Sequence, residues 1–311
     1  MLSRFAAPGR FVGLSRLAAV SRLAMLAVFG LVFLVPHVAQ AQSSSPTDTA
    51  SPGNTGNAPS QAGAAADEDD DAVLQLAQPD YRVVNLPTTL RLPRNGSSFQ
   101  LTHRFNGNLT RGSFSDNASN LFGLDQGAVV GFEYRFGIAR HLQAIAYRTA
   151  IDKTFQFYGK YDALRQNGSM PVGVSALVSI EGGNNFQDRY SPALGASVSR
   201  TAGDRLALYL TPIWVNNTAH ILDEDRDTFF VGVGGRLRVS GTVYVVVESS
   251  PRLAGYSPSE PEYAFGFEKR AGGHMFQLTF ANGQGTTFAQ TARGGLPDSL
   301  YLGFNLARKF F

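Results

Sequence analysis

Apolar and polar side chains alternate with a period of two along most of the chain after residue 81. In one segment, Phe132, Tyr134 and Phe136 alternate with Glu133 and Arg135, and comparable segments follow one another to the end of the chain. This alternation is typical of β-strands that have one apolar face and one polar face. The pattern therefore predicts an all-β fold built from consecutive antiparallel strands.

About 12 such strands can be placed, although the strand near residues 141–150 has an ambiguous phase. Each has roughly ten residues, which is the length that a tilted strand needs to cross a membrane. Charged side chains lie at mid-strand, opposite a nearly uninterrupted apolar face. We therefore predict that residues 81–311 form a transmembrane antiparallel up-and-down β-barrel whose apolar faces contact lipid, and an even strand count places both chain ends on one side.

The predicted connections alternate between short turns and longer loops. The short connections contain Gly or Asn, which accept the backbone conformations of hairpin turns, and they lie at residues 137–140, 165–169, 201–204, 240–241 and 272–273. The longer connections are residues 107–126, 183–189, 216–227, 252–262 and 283–299, and only the link near 151–153 breaks the rule. This sorting favours a bacterial outer-membrane barrel over a soluble sandwich, with the short turns on the periplasmic side.

The N-terminal part of the chain has a different composition. Residues 1–41 carry four arginines, an apolar run and an A-x-A site ending at Ala41, which together predict a cleaved signal peptide. Residues 42–80 are rich in Ser, Ala and Pro, include the acidic run 67–71 and are predicted to be a disordered linker. The acidic run is either simply solvated or docks on a periplasmic partner. We expect no plug domain before the barrel, and therefore no energy-coupled transport.

The overall charge changes little in this picture. The chain has 27 basic and 24 acidic side chains, and four of the bases (Arg4, Arg10, Arg16, Arg22) lie in the predicted signal peptide, so the mature chain has 23 bases against 24 acids. No basic surface is indicated, and we expect no nucleic-acid partner. Cysteine is absent, which excludes disulfides, thiolate metal sites and a lipoprotein anchor.

Several short segments carry a resemblance to a known family. They are Asn85–Leu90, Thr102–Phe105, Asn120–Asp125, Tyr134–Ile138 and the terminal strand Tyr301–Phe311. From about Tyr81 to Phe311 the chain resembles an uncharacterised (domain-of-unknown-function) family of bacterial outer-membrane β-barrels. The resemblance implies the fold and the location, and it implies no chemistry. The terminal strand also resembles the signal read by the outer-membrane assembly machinery, although its apolar phase ends on Phe310 rather than on the last residue.

The sequence contains no complete enzymatic or metal-binding motif of the kinds expected for such chemistry. His103, His141, His220 and His274 lie in no His-x-Ser-Asn-Gly or Gly-x-Ser-x-Gly arrangement. The acidic segment 223–227 starts like a calcium loop but has Thr228 and Gly234 where an EF-hand needs Gly and Glu. We therefore predict no catalytic, cofactor-binding or metal-binding residues and no cofactor; the acidic segment could still bridge cations to lipopolysaccharide.

The polar faces of the strands identify the residues expected to line the lumen. They are Arg104, Glu133, Arg135, Lys160, Asp162, Glu181, Arg205, Arg236, Arg238, Glu248, Glu268 and Arg270, with Arg148 and Lys309 added on the same phasing. This set has nine bases and five acids, a positive surplus that would favour anions in a channel. Alternatively, most of these charges pair across a closed barrel, and Arg236 and Arg238 are then the best candidates to line any remaining path.

The function predicted first is a passive outer-membrane channel or porin for small solutes, with a weak preference for anions. The alternative is a closed structural or scaffold barrel with a periplasmic tether and no transport activity. A barrel enzyme that acts on lipid is a third, weaker hypothesis. The partners expected are outer-membrane lipid and lipopolysaccharide, the barrel assembly machinery during biogenesis, and a periplasmic protein reached through the linker.

Overall fold

The computed structural model describes residues 75–219 and 227–310, and within them nearly all regular structure is β-strand. The strands, in chain order, are β1 Ser97–Asn108, β2 Ala128–Ala139, β3 Leu142–Thr149, β4 Phe155–Leu164, β5 Gly173–Gly182, β6 Asp188–Ala202, β7 Leu206–Val215, β8 Thr228–Ser240, β9 Val243–Ser250, β10 Arg252–Gly255, β11 Glu262–Ala271, β12 His274–Ala281 and β13 Tyr301–Phe310. All the pairings between these strands are antiparallel.

The sheet closes into a barrel. β1 pairs with both β2 and β13, and the pairing of β8 with β9 closes the remaining gap. β9 and β10 both pair with β8, on either side of Pro251, whose carbonyl accepts a hydrogen bond from Val231 N at 3.0 Å. They therefore form one wall position, and the structure is a closed antiparallel barrel of 12 wall strands, which confirms the predicted fold class.

The connections are sorted between the two ends of the barrel. The end that carries the β2–β3, β4–β5, β6–β7, β8–β9 and β11–β12 turns, together with the start of β1 and the end of β13, is called the turn rim. The opposite end, the loop rim, carries the β1–β2 and β12–β13 connections, which are the longest among the described residues. The terminal strands meet side by side, with Ser97 opposite Phe310.

The helical elements are short and lie in loop-rim connections. They are α1 Phe114–Ser119, α2 Gly183–Phe186 and α3 Phe288–Arg293, together with 3₁₀ turns at Leu121–Gln126 and Ile151–Lys153. A capping box between Ser113 and Asp116 starts α1. In the part of the chain that the structure describes, no helix is both long and apolar enough to span a membrane.

The outward face of the wall is apolar. Val178 on β5 and Phe267 on β11 are 58% and 54% exposed, whereas the next residues, Ser179 and Glu268, are buried. The same alternation holds on neighbouring strands, so that phenylalanine, leucine and valine side chains cover the outside and polar side chains fill the inside. This inside-out arrangement is that of a barrel whose solvent is lipid, and its closed ladder leaves no wall edge unpaired.

The structure settles the phase of β3, which the sequence left open. β3 presents Gln143, Ile145 and Tyr147 to the interior, so Arg148 faces outward, where its guanidinium lies 5.4 Å from the ring centroid of Phe155. The prediction that Arg148 lines the lumen is therefore wrong. The wrong phase arose because β3 carries apolar residues on both faces.

The N-terminal boundary of the barrel also differs from the prediction. Residues 1–74, which include the predicted signal peptide and most of the linker, lie outside the described residues. Residues 77–80, assigned to the linker, are buried with the barrel. The sequence showed no alternation there because this segment belongs to no wall strand.

Candidate functional site: the barrel lumen

A hairpin of the N-terminal segment occupies the lumen. Residues 79–90, here named the lumen hairpin, fold back on themselves through hydrogen bonds from Val83 N to Leu86 O and from Thr88 N to Tyr81 O, each 2.9 Å. Both arms leave at the turn rim: Lys309, near the end of β13, binds Pro79 O at 2.5 Å. The tip at 84–85 reaches Glu248, near the loop-rim end of β9.

Lumen side chains hold the hairpin mainly by its backbone. Seven wall residues donate to seven carbonyls of the hairpin: Gln143, Lys160, Ser197, Arg236, Gln277, Asn305 and Lys309 bind the carbonyls of residues 79, 82, 83, 84, 87, 88 and 90. Lys160 alone binds Thr88 O at 3.0 Å and Leu90 O at 2.6 Å. Buried carbonyls need such partners, so the polar wall replaces the water that would otherwise fill the lumen.

The hairpin tip is bound by a single carboxylate. Glu248 accepts hydrogen bonds from the backbone N–H groups of Val84, Asn85 and Leu86 at 2.9, 2.8 and 3.1 Å. The described residues form no ion pair with Glu248. The three N–H dipoles are therefore the main groups that stabilise its buried negative charge.

Three hairpin side chains add polar contacts, and one of them is Thr89, whose hydroxyl is in hydrogen-bond contact with Ser199 Oγ. Arg82 forms a buried ion pair with Glu133, with Nε 2.8 Å from Oε2, and its Nη1 reaches Thr286 O at 3.2 Å. Asn85 accepts from Arg104 at 3.1 Å and donates to Glu262 at 3.2 Å. The hairpin is therefore joined to the wall on several sides and to the β12–β13 connection above it.

Two glycines of β8 make room for the hairpin. A Cβ at Gly232 would lie 2.8 Å from Leu86 Cδ1 and closer still to Cδ2, and a Cβ at Gly234 would lie 3.3 Å from Val83 Cγ2. Both glycines belong to the lumen face of β8, which continues to Arg236. The apolar side chains of the hairpin thus pack onto bare backbone that any larger residue would obstruct.

Several charges of the wall pair with one another. Arg236 and Glu268 form a fork of two hydrogen bonds at 2.7 and 2.8 Å, and both side chains are fully buried. Lys160 lies 3.1 Å from Asp162. Arg135 binds Glu133 at 2.9 Å, and its guanidinium stacks 5.0 Å from the centroid of Tyr81. Such pairs satisfy the desolvated charges of a closed lumen.

A second insert enters from the loop rim. Residues 282–300, here named the lumen loop, place α3 inside the barrel, where Phe288 and Ala289 are buried. Glu181 on β5 accepts from Thr287 Oγ1 at 3.0 Å and from Ala289 N at 3.2 Å. The two inserts meet where Arg82 binds Thr286 O, so the lumen is filled from both ends.

Most of the predicted lumen residues lie inside. The structure buries Arg104, Glu133, Arg135, Lys160, Asp162, Glu181, Arg236, Glu248 and Glu268 in the lumen. Arg238 and Arg270 lie half-buried at the turn rim, where Arg238 binds Asp204 at 2.5 Å. Arg205 does not line the lumen: it is exposed in the β6–β7 turn, because β7 begins only at Leu206.

The charge balance differs from the one expected. Among the described residues, the buried charged side chains are seven acids (Asp80, Glu133, Asp162, Glu181, Glu248, Glu262, Glu268) and five bases (Arg82, Arg104, Arg135, Lys160, Arg236). The fully buried side chains therefore show no positive surplus, and the half-buried Arg238, Arg270 and Lys309 at the turn rim bring the described lumen to eight bases against seven acids. Arg148 faces lipid, Arg205 faces solvent, and Asp80 and Glu262 were not among the predicted lumen residues.

The residues missed by sequence reasoning belong mainly to the inserts. Asp80, Arg82 and Asn85 precede the first wall strand, where no period-two pattern marks them. Glu262 is the first residue of β11 and was assigned to the preceding loop. One available signal was the segment 85–90, which carried the family resemblance without fitting any strand.

The residues considered for chemistry lie elsewhere. His103 stacks on Phe304 on the outward face with ring centroids 4.8 Å apart, and His141 and His274 lie beside turns. His220 and residues 223–226 lie outside the described residues, and Asp227 binds Asn216 at 2.6 Å. Within residues 75–219 and 227–310, no group of three or more His, Asp or Glu side chains could hold a metal ion.

The two arginines singled out in the sequence should differ in their effect on stability. Removing Arg236 by Arg236→Met leaves Glu268 buried without its base, which we expect to lower the free energy of unfolding by about 3 kcal/mol or more. Arg238→Met is the matched control, because the Arg238 side chain is 18% exposed and Asp204 58% exposed, and it should cost about 1 kcal/mol or less. Urea unfolding in lipid vesicles, followed by the fluorescence of the single tryptophan, Trp214, measures both; equal losses would contradict the lumen placement.

The polar lumen, the apolar exterior and the closed hydrogen-bonded sheet together define a membrane β-barrel. A family model described as "Membrane bound beta barrel domain (DUF5777)" matches residues 79–310. The chain belongs to this family. The match begins at Pro79, the first residue of the lumen hairpin, so the family domain includes the hairpin as well as the wall.

Comparison with solved structures finds outer-membrane barrels. The KdgM porin is 8% identical, with 69% of this chain and 99% of that chain covered and a TM-score of 0.46. The NanC porin is 9% identical, with 69% and 100% covered and a TM-score of 0.45. The outer membrane protein Omp33 of Acinetobacter baumannii is 10% identical, with 70% and 98% covered and a TM-score of 0.40. No curated protein matches the chain.

Proposed function

We propose that the protein is a passive outer-membrane channel for small solutes that is shut by the lumen hairpin and narrowed by the lumen loop. One observation carries the proposal: the lumen holds two inserts in addition to the side chains of the wall. About eight strands already make a barrel that side chains can fill, and a wall of 12 strands encloses more space. The wall therefore encloses enough space for a pathway, and a separate segment of the chain occupies that space.

The form of the hairpin supports its role as a removable obstruction. Both arms leave at the turn rim, so the hairpin can withdraw without threading through the barrel. Eleven hydrogen bonds join its backbone to wall side chains, and water can replace these in an open lumen. The hairpin also buries the apolar side chains of Tyr81, Val83, Val84, Leu86 and Leu90, and of these Val83 and Leu86 pack onto the glycines of β8.

The proposal carries no preference for anions. That preference depended on a positive surplus in the lumen, and the described lumen contains seven buried acids against five buried bases. If the hairpin leaves, Asp80 and Arg82 leave with it, and the wall keeps six buried acids, four buried bases and three half-buried bases at the turn rim. Small solutes are therefore the class proposed here.

The location of the chain is part of the same proposal. We place the barrel in a bacterial outer membrane, inserted by the assembly machinery and surrounded by lipid and lipopolysaccharide, with the turn rim in the periplasm. A signal peptide removed after Ala41 would deliver it there. N-terminal sequencing of the protein from isolated outer membranes should give Gln42 as the first residue; recovery of intact Met1 or of a soluble periplasmic protein would contradict this.

A closed structural barrel with a periplasmic tether remains the second candidate. The observation that favours it is the pairing of lumen charges, such as Arg236 with Glu268 and Lys160 with Asp162. The two functions differ in planar-bilayer current. A channel should conduct once the hairpin is displaced, as in the Gly232→Leu variant, whereas a structural barrel should stay silent in every hairpin variant that folds.

A further inference from the structure

We infer that the open lumen binds peptides through their main chain, so that short peptides are the substrate class of the channel. This inference rests on the proposed function. The lumen hairpin is the motivating observation, because it is a peptide already bound in the lumen. Eleven hydrogen bonds join lumen side chains to its backbone among the described residues.

The wall presents both kinds of group that a peptide backbone needs. Donors reach carbonyls along the whole hairpin, as Gln277 does to Val83 O at 2.6 Å and Asn305 to Val84 O at 3.2 Å. Glu248 supplies the acceptor for three consecutive N–H groups. When the hairpin withdraws, these groups lose their partners, and another peptide can satisfy them in the same way.

Recognition of this kind depends little on side chains. Gly232 and Gly234 leave open backbone where Leu86 and Val83 now lie, so the wall itself can accept side chains of different size. The side-chain contacts of the hairpin are fewer, chiefly those of Arg82 and Asn85. We therefore expect peptides of many sequences to bind.

The arrangement fits other solutes less well. A small anion near Asn85 would meet Arg104, but it would also meet the two carboxylates of Glu248 and Glu262. The hydroxyl groups of an oligosaccharide can both donate and accept, but they lack the regular backbone spacing of carbonyl and N–H groups that the donors and Glu248 match. Peptides are the class of solute whose backbone matches both the donors of the wall and the acceptor Glu248.

The test uses the full chain with Leu86→Asp, which leaves every wall residue unchanged. The new carboxylate would be buried beside Glu248 and should release the hairpin. Ion current through this variant is recorded in a planar bilayer while three probes are added from the turn-rim side. They are a peptide of the sequence of residues 80–90, a scrambled peptide of the same composition, and a maltooligosaccharide of similar mass.

Both peptides should block the current at concentrations within about 10-fold of each other, and the oligosaccharide should not block it. A peptide N-methylated at the positions of residues 84–86 should need at least about 10-fold more, because it lacks the N–H groups that Glu248 binds. If the variant conducts but neither peptide blocks its current, peptide binding in the lumen is ruled out, while the proposed channel function is not. Block by the hairpin sequence alone would also overturn it, and absence of current in the folded variant would remove both proposals.

Discussion

Gly232→Leu should convert a silent barrel into a conducting one. A side chain at residue 232 would occupy the position of Leu86, whose Cδ1 lies 2.8 Å from where the Cβ would be. Overpacking of this kind costs about 1–3 kcal/mol, which corresponds to a roughly 5–150-fold larger population of barrels with the hairpin withdrawn. Single-channel recording in planar bilayers measures that population as the open probability at a fixed voltage.

The matched control is Gly235→Leu on the same strand. Gly235 belongs to the outward face of β8, where a Cβ would lie 3.6 Å from Val247 Cγ2 and 3.9 Å from Leu208 Cδ2. The same substitution there should leave the barrel silent, because it adds only lipid-facing surface. Leu86→Asp, a substitution in the hairpin rather than in the wall, should also open the barrel. Equal currents for the Gly232 and Gly235 variants, or silence of both hairpin-releasing variants, would refute gating by the hairpin.

A disulfide between residues 89 and 199 should hold the channel shut. Thr89 Oγ1 and Ser199 Oγ are in direct hydrogen-bond contact, so Thr89→Cys with Ser199→Cys places two sulfur atoms next to each other. The chain contains no other cysteine, and so the pairing is unambiguous. In the Gly232→Leu background, oxidation should return the current to the wild-type level, and a reductant should restore it.

The single variants Thr89→Cys and Ser199→Cys are the controls for this lock. Neither can form the bridge within one barrel, so oxidant should not change their currents. The lock joins the hairpin to β6 three residues beyond Leu86, which prevents withdrawal while leaving the wall intact. Current that persists in the oxidised double variant would show that solutes pass by a route that does not require the hairpin to leave.

The wall of the barrel could be predicted from the sequence because lipid imposes a simple pattern. Every wall strand has an outward side that must be apolar, and residues such as Phe132 and Tyr134 mark it at every second position. The phase failed only on β3, where Ile145 and Tyr147 point inward. On β3 the interior residues are as apolar as the exterior ones, so the pattern does not show which face points outward.

The hairpin could not be predicted in this way. Its residues are buried by contacts with distant strands, for example Arg82 with Glu133 and Val83 O with Gln277. Such contacts leave no periodicity in the hairpin itself, and its Pro79 and Pro87 are typical of loops. Acidic Glu262 was missed for a related reason, since a residue at the end of a strand belongs to no clear alternation.

The lumen charges illustrate the same limit. The phase of a strand correctly identified Arg236 and Glu268 as inward-facing, but it could not show that they bind each other across the lumen. Nor could it show that Arg236 also donates to Arg82 O of the hairpin at 2.6 Å. Arg236, which was predicted to line a path for solutes, thus helps to hold the hairpin that closes the lumen.

The position of the hairpin tip is the most direct test of the account. Val84 has no exposed surface, so a cysteine introduced there into the cysteine-free chain should react very slowly with a membrane-impermeant maleimide in the refolded barrel. Adding Leu86→Asp should raise the labelling rate toward that of a cysteine at the exposed Ser115. Labelling of Val84→Cys alone as fast as Ser115→Cys would contradict the account, because the hairpin would then lie outside the lumen.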